Sequence, residues 1–200
     1  MPKPYTPNDR WSRKAAAEGY RARSVYKLME LDKRFGLLRP GMTVLDLGAA
    51  PGSWLQYASR QVGEGGKVIG ADLQAIEEVA PNVSMHRLDV TDERKVEEML
   101  EEEETGYVDL VLSDIAPNTS GVKDIDQWRS VALTHAVLGV AIRHLKNGGF
   151  CVAKVFRGGD FDGLLRGLKT AGLWRDVRVT KVQASRDRSR EVYLVMRKGR

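Results

Sequence analysis

Residues 148–156, GGFCVAKVF, set one ammonium group inside an apolar run. Phe150, Cys151, Val152, Ala153, Val155 and Phe156 have the composition of a strand buried on both faces. Lys154 falls in its middle. An unpaired ammonium removed from water costs several kcal/mol, so lysine is almost never fully buried without a partner. A lysine here therefore calls for carboxylate partners or a chemical task. A neutral buried amine can accept a proton, whereas an ion-paired or snorkelling one is structural.

The stretch VLDLGAAPGSW, 44–54, is an apolar strand that runs into small residues and then a helix. Gly48 and Gly52 permit a tight turn and close approach of a ligand, and the helix starting near Ser53 offers free N–H groups. Ligands of open parallel sheets sit at the carboxyl ends of the strands. Ala50 stands where a G-x-G-x-x-G loop would need its second glycine, which argues against a dinucleotide. Asp72 lies 24 residues after Gly48, placed to accept hydrogen bonds from ribose hydroxyls, and Asp89 and Asp114 close two further strands. Each acid alone is an ordinary cap or turn residue. Three at successive strand ends suit a ligand that carries a ribose and positive charge but no phosphate. S-adenosylmethionine, with its ribose, adenine, sulfonium and ammonium, has that chemistry.

These residues need a framework of alternating strands and helices. The apolar patterns predict strands at about 43–48, 67–72, 83–88, 108–113 and 149–155, and helices at about 24–36, 53–61, 92–103, 126–145 and 160–170. A closing antiparallel pair is expected at 172–181 and 191–197. The fold class is α/β with a mostly parallel sheet. A length of 200 residues with 42% hydrophobic content fits one domain over 1–200, without a linker tract. The single Cys151 excludes a disulfide framework and suggests a reducing, cytoplasmic setting. No metal is expected, because His86, His135 and His144 lack ligand spacing. No apolar run of about 18 residues marks a membrane span, and no secretory segment opens the chain. Trp128, Trp174 and the methionines are assigned to packing.

Charge is segregated. Residues 1–40 carry a net +6 and residues 181–200 a net +5, which leaves −6 for the middle of a chain whose total is +5. Solvated surface explains this, as does a phosphate-binding stripe formed by both ends. Tyr5, Trp11, Tyr20 and Tyr26 could stack on bases, although aromatics at such spacing also build cores.

Five blocks in order, GYRARSVYKL (19–28), LRPGMTVLDLGAAPGSWLQYASR (38–60), SDIAPNTSG (113–121), CVAKVFRG (151–158) and SRDRSREVYLV (185–195), resemble the FtsJ family. Its members are ribose 2′-O-methyltransferases that act on RNA with S-adenosylmethionine. The resemblance implies a Rossmann-like sheet of seven strands, the last inserted antiparallel, with helices on both faces. It implies a catalytic tetrad at Lys27, Asp114, Lys154 and Glu191. It also implies cofactor contacts at Gly52, Trp54, Asp72, Asp89 and Asp114. Ser53 departs from the glycine common in bacterial members, yet it suits a helix start. Some members act on the A-loop of large-subunit ribosomal RNA and others on the tRNA anticodon loop; the closing block is more similar to the ribosomal branch. The implied partner is RNA, free or within the large subunit; a monomer is expected.

In this reading Lys154 accepts the hydroxyl proton, Asp114 orients it and the donor, and Lys27 and Glu191 hold the ribose. The basic segment 1–23 touches RNA away from the chemistry. Two other classes fit the same fold: a noncatalytic RNA-binding assembly factor, and a small-molecule methyltransferase with a lid in place of basic ends.

Overall fold

The computed structural model describes residues 10–185 and 189–199. Helix α1 spans Arg10–Ala17 and α2 Val25–Phe35; β1 is Thr43–Leu47, α3 Ser53–Val62, β2 Lys67–Asp72 and β3 Val83–Arg87. Then follow α4 Glu93–Glu102, β4 Val108–Ser113, α5 Lys123–His144, β5 Leu145–Phe156, α6 Phe161–Thr170, β6 Trp174–Thr180 and β7 Glu191–Lys198. The strands form one sheet in the order β3-β2-β1-β4-β5-β7-β6. β7 runs antiparallel to β5 and β6, while the other pairings are parallel. That matches the α/β, mostly parallel class read from the residues and the inserted antiparallel strand that the resemblance implies.

Strand residues alternate between two apolar layers, because successive side chains point to opposite faces. Leu45, Leu47, Ile69, Val111, Cys151, Ala153, Val155, Val192 and Leu194 pack with α4, α5 and α6. Val44, Val68, Leu110, Leu112, Val152, Tyr193 and Val195 pack with α2 and α3. The same parity assigns the polar residues. Asp46 shares a face with Val44, Lys154 with Val152, and Glu191 with Tyr193, so all three belong to the α2 side. Cys151 is a free buried thiol, and burial pushes it up to about 12.

Three elements differ from the sequence reading. α1 was not expected, since its only apolar anchors are Trp11 and Ala15 among charges. They join a small third cluster with Tyr20, Val25, Tyr26 and Ala184, so tertiary contacts make the helix. Tyr5 lies outside the described residues; the other three aromatics pack there, Trp11 at 5.1 Å from Tyr26. α5 starts at Lys123, because Asp126 accepts from Ser120 N, Ser120 Oγ and Gly121 N and so orders the preceding loop. β5 starts at Leu145, paired with Val108 across a register shift that loops out residues 146–149.

Candidate active site

The strand ends bring three charged side chains, Asp114, Lys154 and Glu191, to the α2 face, where they meet Lys27. Lys154, only 6% exposed, donates to the backbone oxygen of Asp114 at 2.5 Å and lies 3.1 Å from Asp114 Oδ1. Lys27, on α2, lies 2.8 Å from Glu191 Oε1 and 3.6 Å from Asp114 Oδ1. Tyr193, paired in register with Lys154, donates its hydroxyl to Asp114 Oδ1 at 2.5 Å. Ser185 Oγ donates to Glu191. Burial opposes charge on Asp114, but Lys154, Lys27 and the Tyr193 hydroxyl outweigh it and hold the carboxyl below the usual range. Burial, reinforced by Asp114 and Glu191, pushes the Tyr193 phenol well up, so it stays a donor.

A cleft of about 1020 Å³ opens beside this cluster at the carboxyl ends of the strands. Gly48, Ala50, Asp72, Asp89, Asp114 and Trp128 are among its lining residues. Gly48 has φ +82°, and a Cβ there would stand 2.6 Å from Ile115 Cβ. Asp72 is held by the N–H groups of Ala50 and Gln74, at 2.9 and 2.8 Å. Asp89 accepts from the Thr91 hydroxyl and N–H, which lower its carboxyl. A small recess joins the cleft at Gly48, Ala50 and Asp114 and adds Ser24, Asp46, Ser53 and Trp54.

The residues singled out in the sequence thus divide. Lys27, Asp114, Lys154 and Glu191 come together, and Asp72, Asp89 and Asp114 line one cleft. Trp54 lines the recess; its indole Nε1 donates to Ser24 O at 2.8 Å, and its ring lies 6.2 Å from Tyr193. Gly52 lines neither pocket. It caps α3 at φ +100°, and a Cβ there would meet Arg21 Nη1 at 2.8 Å. Arg21 braces the loops, donating to the carbonyls of Pro51, Glu77 and Glu78.

Two residues escaped the sequence reading. Asp46 is 1% exposed and neither carboxylate oxygen has a partner among the described residues. Burial, then the charges of Asp114 and Asp72, push its carboxyl well above the usual range. Its signal was the one that exposed Lys154, a charge inside an apolar strand. Trp128, assigned to packing, is 63% exposed on the cleft rim, although Trp174 is buried as expected. Its i, i+4 spacing with Ala132 and Ala136 is that of a core stripe, but the stripe lines a cleft.

This sheet order, with an acid-lined cleft at the strand ends, defines a Rossmann-like methyltransferase. Residues 20–199 match the model of the FtsJ-like methyltransferase family. The chain belongs to that family, which uses S-adenosylmethionine as methyl donor. It is 48% identical over 188 residues, 94% of this chain and 90% of the relative, to a ribosomal RNA large subunit methyltransferase E of Azoarcus sp. (strain BH72). The protein of the same description from Syntrophobacter fumaroxidans is 45% identical over 192 residues, 96% of this chain and 95% of that one. A solved chain from Plasmodium falciparum, described as a ribosomal RNA methyltransferase, is 30% identical with a TM-score of 0.80. It covers 90% of this chain and 100% of that chain.

The residues present fit the donor. Asp46 is a buried acid without a cation among the described residues, in a recess opening from the cleft, which suits the donor's ammonium. Asp72 and Asp89 put carboxylate oxygens on the cleft wall, which suits the hydroxyls of its nucleoside. Among the described residues no group of three His, Cys, Asp or Glu is placed to hold a metal, and no helix is long and apolar enough to cross a membrane.

Proposed function

We propose that this chain methylates a ribose 2′-hydroxyl of large-subunit ribosomal RNA, with a uridine of the A-loop as target. It acts in the cytoplasm as a monomer, a single methyltransferase unit over 1–200. The observation that carries the reading is the Lys154 amine, buried against Asp114 at the edge of an acidic cleft and beside the Lys27–Glu191 pair. The names of the relatives support ribosomal RNA as the substrate.

Bound S-adenosylmethionine supplies an electrophilic methyl on a positively charged sulfonium. The attacking hydroxyl must lose its proton as the C–O bond forms. A neutral Lys154 amine has two N–H donors and one lone pair. Asp114 O and Oδ1, at 2.5 and 3.1 Å, occupy the donors, which leaves the lone pair for the ribose proton. Asp114, which also faces the Lys27 ammonium and accepts from the Tyr193 hydroxyl, fixes that orientation. Lys27 and Glu191 act together on the ribose, Lys27 donating and Glu191 accepting. Asp46 holds the donor's ammonium, Asp72 and Asp89 its nucleoside, while Gly52 and Trp54 shape the loop.

The test is a ribose-methylation map of ribosomal RNA from cells lacking this protein. One 2′-O-methyl group should be missing from the large subunit, and purified protein with donor should restore it. DNA of the same sequence should accept none, because it lacks the hydroxyl. An unchanged map would refute the assignment.

A further inference from the structure

β7 alone runs against its neighbours, so its first residue lies at the same sheet edge as the last residues of β5 and β6. Phe156 pairs with Glu191, Thr180 pairs with Tyr193, and Arg157 N donates to Arg190 O at 3.0 Å. Three cations flanking these strand ends, Arg157, Lys181 and Arg190, consequently line one depression of about 170 Å³. Glu191 forms part of its wall, and Thr180 and Ser189 add hydroxyls.

All three cations are exposed, and none forms an ion pair among the described residues. Arg157 lies over the Phe161 ring at 5.6 Å, and Arg190 donates to the Lys123 carbonyl at 3.1 Å. The Lys181 ammonium has no partner among the described residues. The nearby carboxylate, Glu191, is committed to Lys27 and Ser185. Convergent cations with hydroxyls beside them are the chemistry of a phosphate site.

We infer that this depression holds a backbone phosphate of the RNA, that of the methylated nucleotide itself. The inference rests on the 2′-O-methyl reading of the tetrad. In a ribose, the carbon bearing the 2′-hydroxyl is bonded to the carbon bearing the 3′-phosphate. A hydroxyl at Lys154 and Glu191 therefore brings its own 3′-phosphate to an adjoining site, and the depression shares Glu191 with the tetrad. The acidic cleft lies elsewhere, lined by Asp72, Asp89 and Asp114, so donor and phosphate approach by separate routes. Anchoring the phosphate fixes the register of the strand and so selects one ribose.

The test uses the full chain with large-subunit ribosomal RNA, and measures kcat/KM, its salt dependence and donor affinity. Lys181→Gln and Arg157→Gln should each lower kcat/KM for RNA roughly tenfold and make the logarithmic salt slope shallower, by about 0.7 for one lost contact to a single strand. Donor affinity should not change, and Arg157→Lys should recover most of the activity. A purely structural role would not move the salt slope. If both variants keep the wild-type kcat/KM and slope, the phosphate site is wrong although the methyl-transfer reading stands. If the wild type transfers no methyl group to RNA, that reading fails and the phosphate site falls with it.

Discussion

Replacing Asp46 with Asn should stabilise the free protein and weaken donor binding. The Asp46 side chain is buried without a partner among the described residues, and its carboxyl is pushed well above the usual range by burial and by Asp114 and Asp72. An acid whose folded pKa is raised contributes stability that is full below its unfolded value, about 3.9. That contribution is lost as pH rises through the raised folded value. At neutral pH the folded state thus bears the cost of a proton retained or a charge left unpaired. Asn keeps the shape and removes the charge, and a gain of about 1–2 kcal/mol is expected. At 2–4 °C per kcal/mol for a chain of this size, Tm should rise by roughly 2–8 °C. The donor's ammonium would then lose a charged acceptor worth about 1.5–3 kcal/mol, or about 10- to 150-fold in Kd. Calorimetric titration and thermal melts measure both quantities. Wild-type donor affinity would rise with pH as Asp46 ionises, and Asp46→Asn should flatten that rise. A variant that binds donor as tightly as wild type, or that melts earlier, would refute the assignment.

Gly48→Ala should abolish donor binding and cost about 1–3 kcal/mol, given φ +82° and Ile115 Cβ at 2.6 Å; unchanged affinity in a titration would count against this loop as the cradle. Tyr193→Phe removes the hydroxyl that donates to Asp114. Denaturant unfolding should show a loss of about 1.5–3 kcal/mol, and steady-state assays should show lower kcat with donor Kd unchanged; equal kcat would remove Tyr193 from the positioning of Asp114. Reversing Arg13 and Lys14 to Glu should weaken RNA binding in a filter assay without altering donor affinity. Unaffected RNA binding would confine α1 to a packing role.

Lys154 was legible because its cost could be judged locally: an ammonium amid Cys151, Val152, Ala153 and Val155 needs a reason. Lys27 and Glu191 were not legible that way, since one is a charge on an amphipathic helix and the other opens a strand, both ordinary surface roles. What joins them is topology, because the antiparallel β7 carries Glu191 to the carboxyl ends of the parallel strands, where α2 presents Lys27. Only the resemblance pointed to that pairing beforehand. Asp46 carried the same local signal as Lys154, but the glycine loop beside it offered a sufficient account of the strand's end. Trp128 shows a limit of periodicity, since a helical stripe facing a cleft has the spacing of one facing a core. Arg21 shows another. Its charge belongs to a basic segment, yet its guanidinium is spent on three backbone carbonyls brought together by the fold.

The most direct test of the account is single-turnover transfer of a labelled methyl group to large-subunit ribosomal RNA by wild type and Lys154→Ala, with donor and RNA both saturating. Loss of a positioned base should slow the step by about 10²–10⁴-fold and leave both binding constants intact. A Lys154→Ala enzyme that transfers at the wild-type rate would contradict the claim that this amine takes the ribose proton.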